Sequence, residues 1–239
     1  MYPGLKELVA IEIGTLKTIA EMSEFRSFDS LYRQSIEQHR ILQSNAEVLD
    51  IHADFSMEVR VRGSKRKQEC IRWVHIGCLI EGNRKNNQVA RTSYSLVLFK
   101  KNSVHSPVLR KLHFDYESPN ARSMKDPKPS SHIQICGKAS PHLLAHGFNK
   151  QRLDALYPDF EQPRIPAMPM SFAILIDWLF TEFSSDRKSR DVCRNMRWKN
   201  QVVAAEKVVL GPYFLAASNH LQGANHAANP FIRTKLYGL

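Results

Sequence analysis

The chain has 239 residues, 43% of them hydrophobic and 24% charged, so it can bury one sizeable core, or one core with a helical appendage, and should fold alone. Thirty-four Lys and Arg against twenty-three Asp and Glu leave a net charge of +11, which favours a polyanionic partner but says nothing about the fold. The four cysteines show neither a C-x-x-C pair nor metal-finger spacing, and no secretory apolar region opens the chain, so we expect reduced thiols in the cytoplasm.

A pair of packed helices is predicted at the start of the chain. Apolar residues recur at intervals of three and four over residues 5–22, and Glu12 falls within this stripe. The same periodicity returns over residues 27–42, after a short turn at residues 23–26.

The middle of the chain carries strand patterns. From Ile51 to Val61 apolar and polar residues alternate, which predicts a strand with one buried and one wet face. Residues 69–80 are apolar on both faces, as is typical of a central strand. Three further strands are predicted at residues 89–101, 107–117 and 132–138. The predicted fold class is α+β, an antiparallel β-meander of four to five strands flanked by N-terminal helices, with a C-terminal helical segment.

The rest of the chain favours helices. Their predicted positions are a short helix at residues 141–146, an apolar helix at 170–183, a long basic helix at 185–210 and a shorter one at 213–221. A proline-rich connection at 157–169 separates the first from the others. We therefore divide the chain into an α+β domain, residues 1–162, and a helical segment, residues 163–239, packed on it.

The most apolar run, Met168 to Phe183, is shorter than the roughly 20 residues of a membrane span and carries Asp177. We expect no membrane segment, and we interpret the helix at residues 170–183 as a core helix or as a docking surface for a protein partner.

The positive charge is concentrated on the predicted meander. Between Arg60 and Lys128 sixteen basic residues stand against five acidic ones, an excess that equals the net charge of the whole chain. In a meander the first and third turns lie at one end of the sheet, and the second turn and the long loop at the other. The predicted nucleic-acid-binding residues are those of these turns: Lys65, Arg66, Lys67, Arg84, Lys85, Lys100, Lys101, Arg122, Lys125 and Lys128. Such residues bind phosphates without regard to sequence, although hairpin turns also carry Lys and Arg for solubility.

A second basic run lies in the predicted long C-terminal helix. Arg187, Arg190, Arg194 and Arg197 would form one stripe at spacings of three and four. A solvated helix face and a binding surface explain this stripe equally well. Trp198 beside it should pack rather than stack on a base.

Ionisable residues share one face of the fourth and fifth predicted strands. His113, Asp115 and Glu117 alternate along the fourth strand, while His132, Gln134 and Lys138 alternate along the fifth. If the two strands pair antiparallel, these rows become neighbours across the ladder.

Two kinds of chemistry fit this set, which matches no established nuclease signature. His113 and His132 with Lys138 would supply the base, the acid and the cation for metal-free cleavage of a phosphodiester. Alternatively Asp115, Glu117 and His132, with His142 or His146, would supply oxygen and nitrogen ligands for a divalent ion. The cofactor requirement stays open. The candidate catalytic residues are His113, Asp115, Glu117, His132 and Lys138.

The string His113-Phe-Asp115-Tyr116, followed by a polar loop and His132-x-Gln134-x-x-Gly137, resembles a pattern in small bacterial proteins of defence islands and mobile elements. It also resembles toxins of the TumE type from toxin–antitoxin pairs. The resemblance spans about residues 90–150, and it implies a β-meander with flanking helices and an RNA-directed or otherwise toxic activity restrained by a partner. It carries over to His113, Asp115 and His132 as positions of interest.

The sequence thus predicts a nucleic-acid-binding protein of a bacterial defence or toxin-like system that cleaves RNA or DNA by general acid–base chemistry. The alternative is a non-catalytic subunit that grips nucleic acid for a partner enzyme. A third hypothesis is an interaction protein whose charge matches an acidic partner.

Overall fold

The structure is a computed structural model of the whole chain. It describes residues 3–28, 31–33, 35–36, 48–62, 69–99, 108–118, 130–135, 165–182 and 186–223.

The first helix, α1, spans Leu5–Glu21, as the apolar periodicity predicts. Its buried stripe faces the core. The start of the helix is held by Asn87, whose backbone carbonyl accepts from the Leu5 N–H at 3.2 Å and whose side-chain Oδ1 accepts from the Lys6 N–H at 2.8 Å. Asn87 reaches this position with a left-handed φ of 55°, a conformation that Asn tolerates better than most residues. A turn of the sheet therefore satisfies backbone donors that the helix cannot satisfy itself.

The segment after α1 differs from the predicted turn and helix. Ser23–Ser27 form a 3₁₀ helix instead of an irregular turn. Ser27, at the start of the predicted second helix, belongs to this 3₁₀ helix. Helical backbone resumes at residues 31–33 and 35–36, and residues 29–30, 34 and 37–42 of the prediction lie outside the described residues. Phe25 anchors the 3₁₀ helix, since its ring contacts Phe28, Phe180 and Trp198 at centroid distances of 6.4, 5.9 and 5.1 Å.

The predicted meander is confirmed. Its strands are β1 Val48–Arg62, β2 Glu69–Asn83, β3 Gln88–Phe99, β4 Val108–Glu117, β5 Ser131–Ile135 and β6 Ile165–Pro166. They form one antiparallel sheet in chain order, with every strand paired to the next. The sixth strand was not predicted, because two residues inside a proline-rich stretch carry no period-two signal.

Both faces of the sheet are buried near its middle. On one face Val74, Ile76, Tyr94 and Leu96 join the core with α1 and the C-terminal helices. On the other face Val97 is also buried. This explains the two-sided apolar pattern of β2, which lies between β1 and β3 as predicted.

Three C-terminal helices follow, α2 at Phe172–Glu182, α3 at Arg187–Arg194 and α4 at Met196–Gly223. The prediction of one helix over 185–210 and another over 213–221 is wrong in two places. The first predicted helix is broken at Asn195, and no break separates it from the second at residues 211–212. Asn195 breaks the first helix, since its backbone is extended and its side-chain Oδ1 accepts from the Arg197 N–H at 2.8 Å as the cap of α4. Pro212 lies inside α4, which continues past it with one backbone hydrogen bond fewer.

The hydrophobic core combines residues from both segments into which the sequence was divided. Leu8 and Tyr94 from the first segment pack in the same cluster as Leu175, Phe180 and Trp198 from the second. Residues 172–209 of the helical segment therefore share one core with α1 and the sheet. None of the helices in the described ranges is long and apolar enough to cross a membrane.

Candidate functional site

The polar rows on β4 and β5 lie side by side. In the antiparallel register of these strands Asp115 is opposite His132, and His113 is opposite Gln134. The adjacent residue Phe114 contacts Trp178 of α2, with ring centroids 6.2 Å apart, so it points to the helix side. Because neighbouring residues of a strand point to opposite faces, His113 and Asp115 lie on the face away from the helices.

Strand β3 places a serine hydroxyl group beside each of these two cross-strand pairs. Ser93 pairs with Asp115, and Ser95 pairs with His113. Two rungs thus cross three strands, one with the order Ser, Asp, His and the next with the order Ser, His, Gln. We call the set of Ser93, Ser95, His113, Asp115, His132 and Gln134 the polar patch.

His132 and Asp115 are in contact inside this patch. The Nε2 atom of His132 lies 3.7 Å from Oδ2 of Asp115, and only 3% of the His132 side chain is exposed. The other carboxylate oxygen, Oδ1 of Asp115, is buried and has no hydrogen-bond partner among the described residues. The carboxylate is therefore placed to orient the imidazole.

Glu117 lies at the end of the β4 row and is engaged differently. Its Oε1 atom is 4.0 Å from Nε of Arg91, its register partner on β3. Since an ion pair already holds this carboxylate, the chemistry of the polar patch rests on His113, Asp115 and His132 rather than on Glu117.

The remaining candidate, Lys138, lies outside the described residues, as do His142, His146 and the predicted helix at 141–146. Within the described part of the chain no group of three or more His, Cys, Asp or Glu side chains is arranged to hold a metal ion.

Sequence reasoning missed two residues on the face of the polar patch. Lys111 lies two residues before His113 on β4 and pairs with Val97 of β3. Val97 in turn pairs with His75 of β2. Lys111 belongs to the basic excess of the meander, and its side chain is only 1% exposed. His75 is buried as well. The signal for Lys111 was available, because it shares the strand parity that places His113 and Asp115 on this face. The place of His75 follows only from the register of β2 and β3.

Of the ten predicted nucleic-acid-binding residues, two are described, Arg84 and Lys85. The other eight lie outside the described residues: Lys65, Arg66, Lys67, Lys100, Lys101, Arg122, Lys125 and Lys128. Lys85 is exposed and Arg84 is half-buried on the β2–β3 turn. Asn83 shapes this turn by accepting the Lys85 N–H on its Oδ1 atom at 2.8 Å. Since the turn also holds the start of α1, the exposed Lys6 lies beside it, a cation that the sequence did not connect with this end of the sheet.

The predicted basic stripe is not a single surface. The helix break at Asn195 separates Arg194 on α3 from Arg197 on α4. Arg197 forms an ion pair with Glu21 of α1, and Arg187 lies 3.8 Å from Asp191. Trp198 is fully buried and donates its Nε1–H to Asp177 at 2.8 Å, so it packs as predicted.

Helix α2 is mainly a core helix. Phe172, Leu175, Leu179 and Phe180 are buried, whereas Trp178 is 39% exposed beside Phe114. Trp178 is the exposed large apolar side chain among the described residues of this helix, so an apolar contact with a protein partner would centre on it.

A further ionisable group lies within the core on the other side of the sheet. Glu12 is fully buried and accepts a hydrogen bond from the Tyr94 hydroxyl at 2.6 Å and from the Phe172 backbone N–H at 3.2 Å. Burial raises the pKa of Glu12 to about 7, although both hydrogen bonds act in the opposite direction. Glu12 thus links α1, β3 and the start of α2.

Comparison with known proteins yields no relative: no family model, curated protein or solved structure matches the chain.

Proposed function

We propose that the protein binds nucleic acid through the basic loops of the meander and cleaves it at the polar patch. The observation that carries the proposal is the contact between Asp115 and His132, with His113 one rung away on the same face. Two imidazoles, one of them oriented by a carboxylate, are the minimum set for general acid–base catalysis without a metal.

The proposed chemistry divides the roles between the two histidines. One neutral imidazole accepts the proton of the attacking oxygen as the new P–O bond forms. The other, protonated, donates its proton to the leaving oxygen as the old P–O bond breaks. In this proposal His132, which contacts the Asp115 carboxylate, has the role of acid, and His113 has the role of base.

The basic loops supply affinity in this proposal. Arg84, Lys85 and Lys6 provide cations at one end of the sheet, and the sequence places most of the remaining surplus on the other loops. Phosphate contacts of this kind bind single or double strands irrespective of sequence. Together with the resemblance to defence-island proteins and TumE-type toxins, this favours a bacterial defence or toxin-like setting, with a protein partner at Trp178.

A second function, gripping nucleic acid for a partner enzyme, is favoured by a different observation. His132 is 3% exposed, and a buried imidazole meets a phosphodiester only if the patch opens. In that case the contact between His132 and Asp115 would stabilise the sheet, and the basic loops would do all the binding.

Cleavage assays on labelled RNA and DNA oligonucleotides separate the two functions. We expect Asp115→Asn and His113→Gln each to lower the cleavage rate by about a hundredfold or more, the usual contribution of a general acid or base. The matched control is Asp191→Asn, which removes an exposed carboxylate on α3 and should leave cleavage unchanged. Binding without cleavage by the unaltered protein, or cleavage that survives both patch substitutions, would assign the gripping role instead.

A further inference from the structure

The first strand stands at the edge of the sheet that the described residues form. Strand β1 has fifteen residues, pairs with β2 along its whole length and stands first in the strand order. No strand in the described ranges pairs with its other side. Fifteen residues extend over about 50 Å, and the backbone donors and acceptors along such an edge can pair with another extended segment.

Apolar and polar residues alternate along β1 from Leu49 to Arg62. Its odd positions are apolar and fall opposite core residues of β2: Ile51 is opposite Ile80, and Phe55 is opposite Ile76. Its even positions carry the charges, acidic from Asp50 to Glu58 and basic after it: Asp50, Asp54, Glu58, Arg60 and Arg62.

The order of charges along β1 allows two antiparallel copies of the strand to place opposite charges next to each other. In an antiparallel pair of β1 strands centred on the middle residue, Phe55, Asp50 of each copy falls opposite Arg60 of the other, and His52 falls opposite Glu58. Each match occurs twice because of the twofold symmetry. The apolar positions also fall opposite one another, so the apolar face continues from one copy to the next.

Neighbouring registers are less complementary. Centring the pair on Asp54 places Asp54 opposite itself and Asp50 opposite Glu58. Centring it on Ser56 places Asp50 opposite Arg62 but also Asp54 opposite Glu58. Like charges directly opposite one another destabilise a ladder, so the register with full overlap is also the one that the charges favour.

We propose that two copies of the chain associate through antiparallel pairing of their β1 strands about Phe55, which joins their sheets into one continuous twelve-stranded sheet. The occupant of the edge is a second copy rather than a foreign peptide, because the match lies within the strand itself. A foreign peptide would require no symmetry in the order of the charges. This inference does not depend on the proposed function.

Sedimentation analysis of the full-length protein at several concentrations tests the proposal. We expect a dimer for the unaltered chain. Asp50→Arg places Arg opposite Arg60, and Arg60→Asp places Asp opposite Asp50, so each substitution should weaken dimerisation by about tenfold or more. An equimolar mixture of the two variants should dimerise again, because each copy then supplies the charge that the other lacks. The double variant Asp50→Arg/Arg60→Asp should recover a homodimer for the same reason.

Matched controls carry the same charge changes on α3. Asp191→Arg and Arg187→Asp alter exposed residues away from the sheet and should leave the dimer unchanged. Circular dichroism checks that each variant is folded. A monomeric unaltered protein would overturn the proposal, as would a dimer that both β1 variants retain, or a mixture that dimerises no better than its components.

Discussion

At the scale of one residue, Glu12 has hydrogen-bond partners that lie far from it in the sequence. It falls in the apolar stripe of α1, and the structure buries it there with donors 82 and 160 positions away, the Tyr94 hydroxyl and the Phe172 N–H. The sequence reveals the stripe but not these distant partners. A carboxyl in this place stays protonated at a pH where an exposed one is charged, because burial outweighs the hydrogen bonds.

The raised pKa of Glu12 makes stability depend on pH. The unfolded chain loses this proton near 4.5 and the folded chain near 7. The folded state therefore binds more protons in this window, so its stabilisation is complete below 4.5 and is lost as pH rises through about 7. We expect Glu12 to account for a loss of about 3 kcal/mol between pH 4.5 and pH 8.

Urea unfolding of the unaltered protein and of Glu12→Gln at several pH values measures this loss. The neutral amide should remove most of the dependence, so the variant should gain stability relative to the unaltered protein as pH rises. Parallel pH profiles for the two proteins would show that Glu12 does not titrate as described.

The two tryptophans near the C-terminal helices should differ sharply in their effect on stability. Trp198 is fully buried, contacts Phe25 and donates to Asp177, whereas Trp178 is partly exposed. We expect Trp198→Phe, which keeps an aromatic ring but leaves Asp177 without this donor, to destabilise the fold by about 1–3 kcal/mol. Trp178→Phe should cost less than about 1 kcal/mol. Equal costs in chemical denaturation would contradict this assignment.

At the scale of elements, strands and helices with a clear period were predictable, and their ends were not. The alternation of apolar and polar residues located β1, and a run that is apolar on both faces located β2, whose residues Val74 and Ile76 are buried in the core. Strands β3 to β5 overlap the strands predicted after these two. The break between α3 and α4 escaped prediction, since neither Pro nor Gly marks it. From the sequence alone, a single Asn can lie within a helix or cap the start of one, and its hydrogen-bond partners decide between the two.

Asn195 should therefore contribute more than an ordinary helix-surface residue. Its Oδ1 caps α4, and its Nδ2 donates to Glu24 of the 3₁₀ helix at 2.6 Å. Asn195→Ala should lower the free energy of unfolding by about 1–2 kcal/mol. Asn200→Ala, on the exposed side of α4, serves as the control and should change it by less than about 0.5 kcal/mol. A negligible effect at Asn195 would mean that the break does not depend on its side chain.

The candidate site was predictable to the level of the strand face. Strand parity placed His113, Asp115 and Glu117 together, and the antiparallel register brought His132 opposite Asp115. The sequence did not reveal that Arg91 holds Glu117 or that Lys111 is buried, because both depend on neighbours across the sheet.

At the scale of the whole molecule, the basic residues of the described turn and of the helices have different surroundings. Arg84 and Lys85 lie on a turn at one end, whereas the helix-borne Arg187 and Arg197 are paired with carboxylates. If the turn binds phosphates, Arg84→Glu/Lys85→Glu should weaken nucleic-acid binding by about tenfold or more. The slope of log affinity against log salt concentration should fall by the equivalent of about one to two phosphate contacts.

The control for this double variant carries the same charge change on the helices. Arg187→Glu/Lys207→Glu reverses two exposed residues of α3 and α4 and should leave the salt dependence unaltered. Equal losses in the two double variants would show that net charge, rather than the turn, governs binding.

The most direct test of the central claim, that this sheet binds nucleic acid, is the affinity for a labelled oligonucleotide measured by fluorescence anisotropy between 50 and 200 mM salt. Four or more phosphate contacts predict a loss of at least about a hundredfold over this range. The absence of binding at 50 mM, or an affinity that does not change with salt, would contradict the claim.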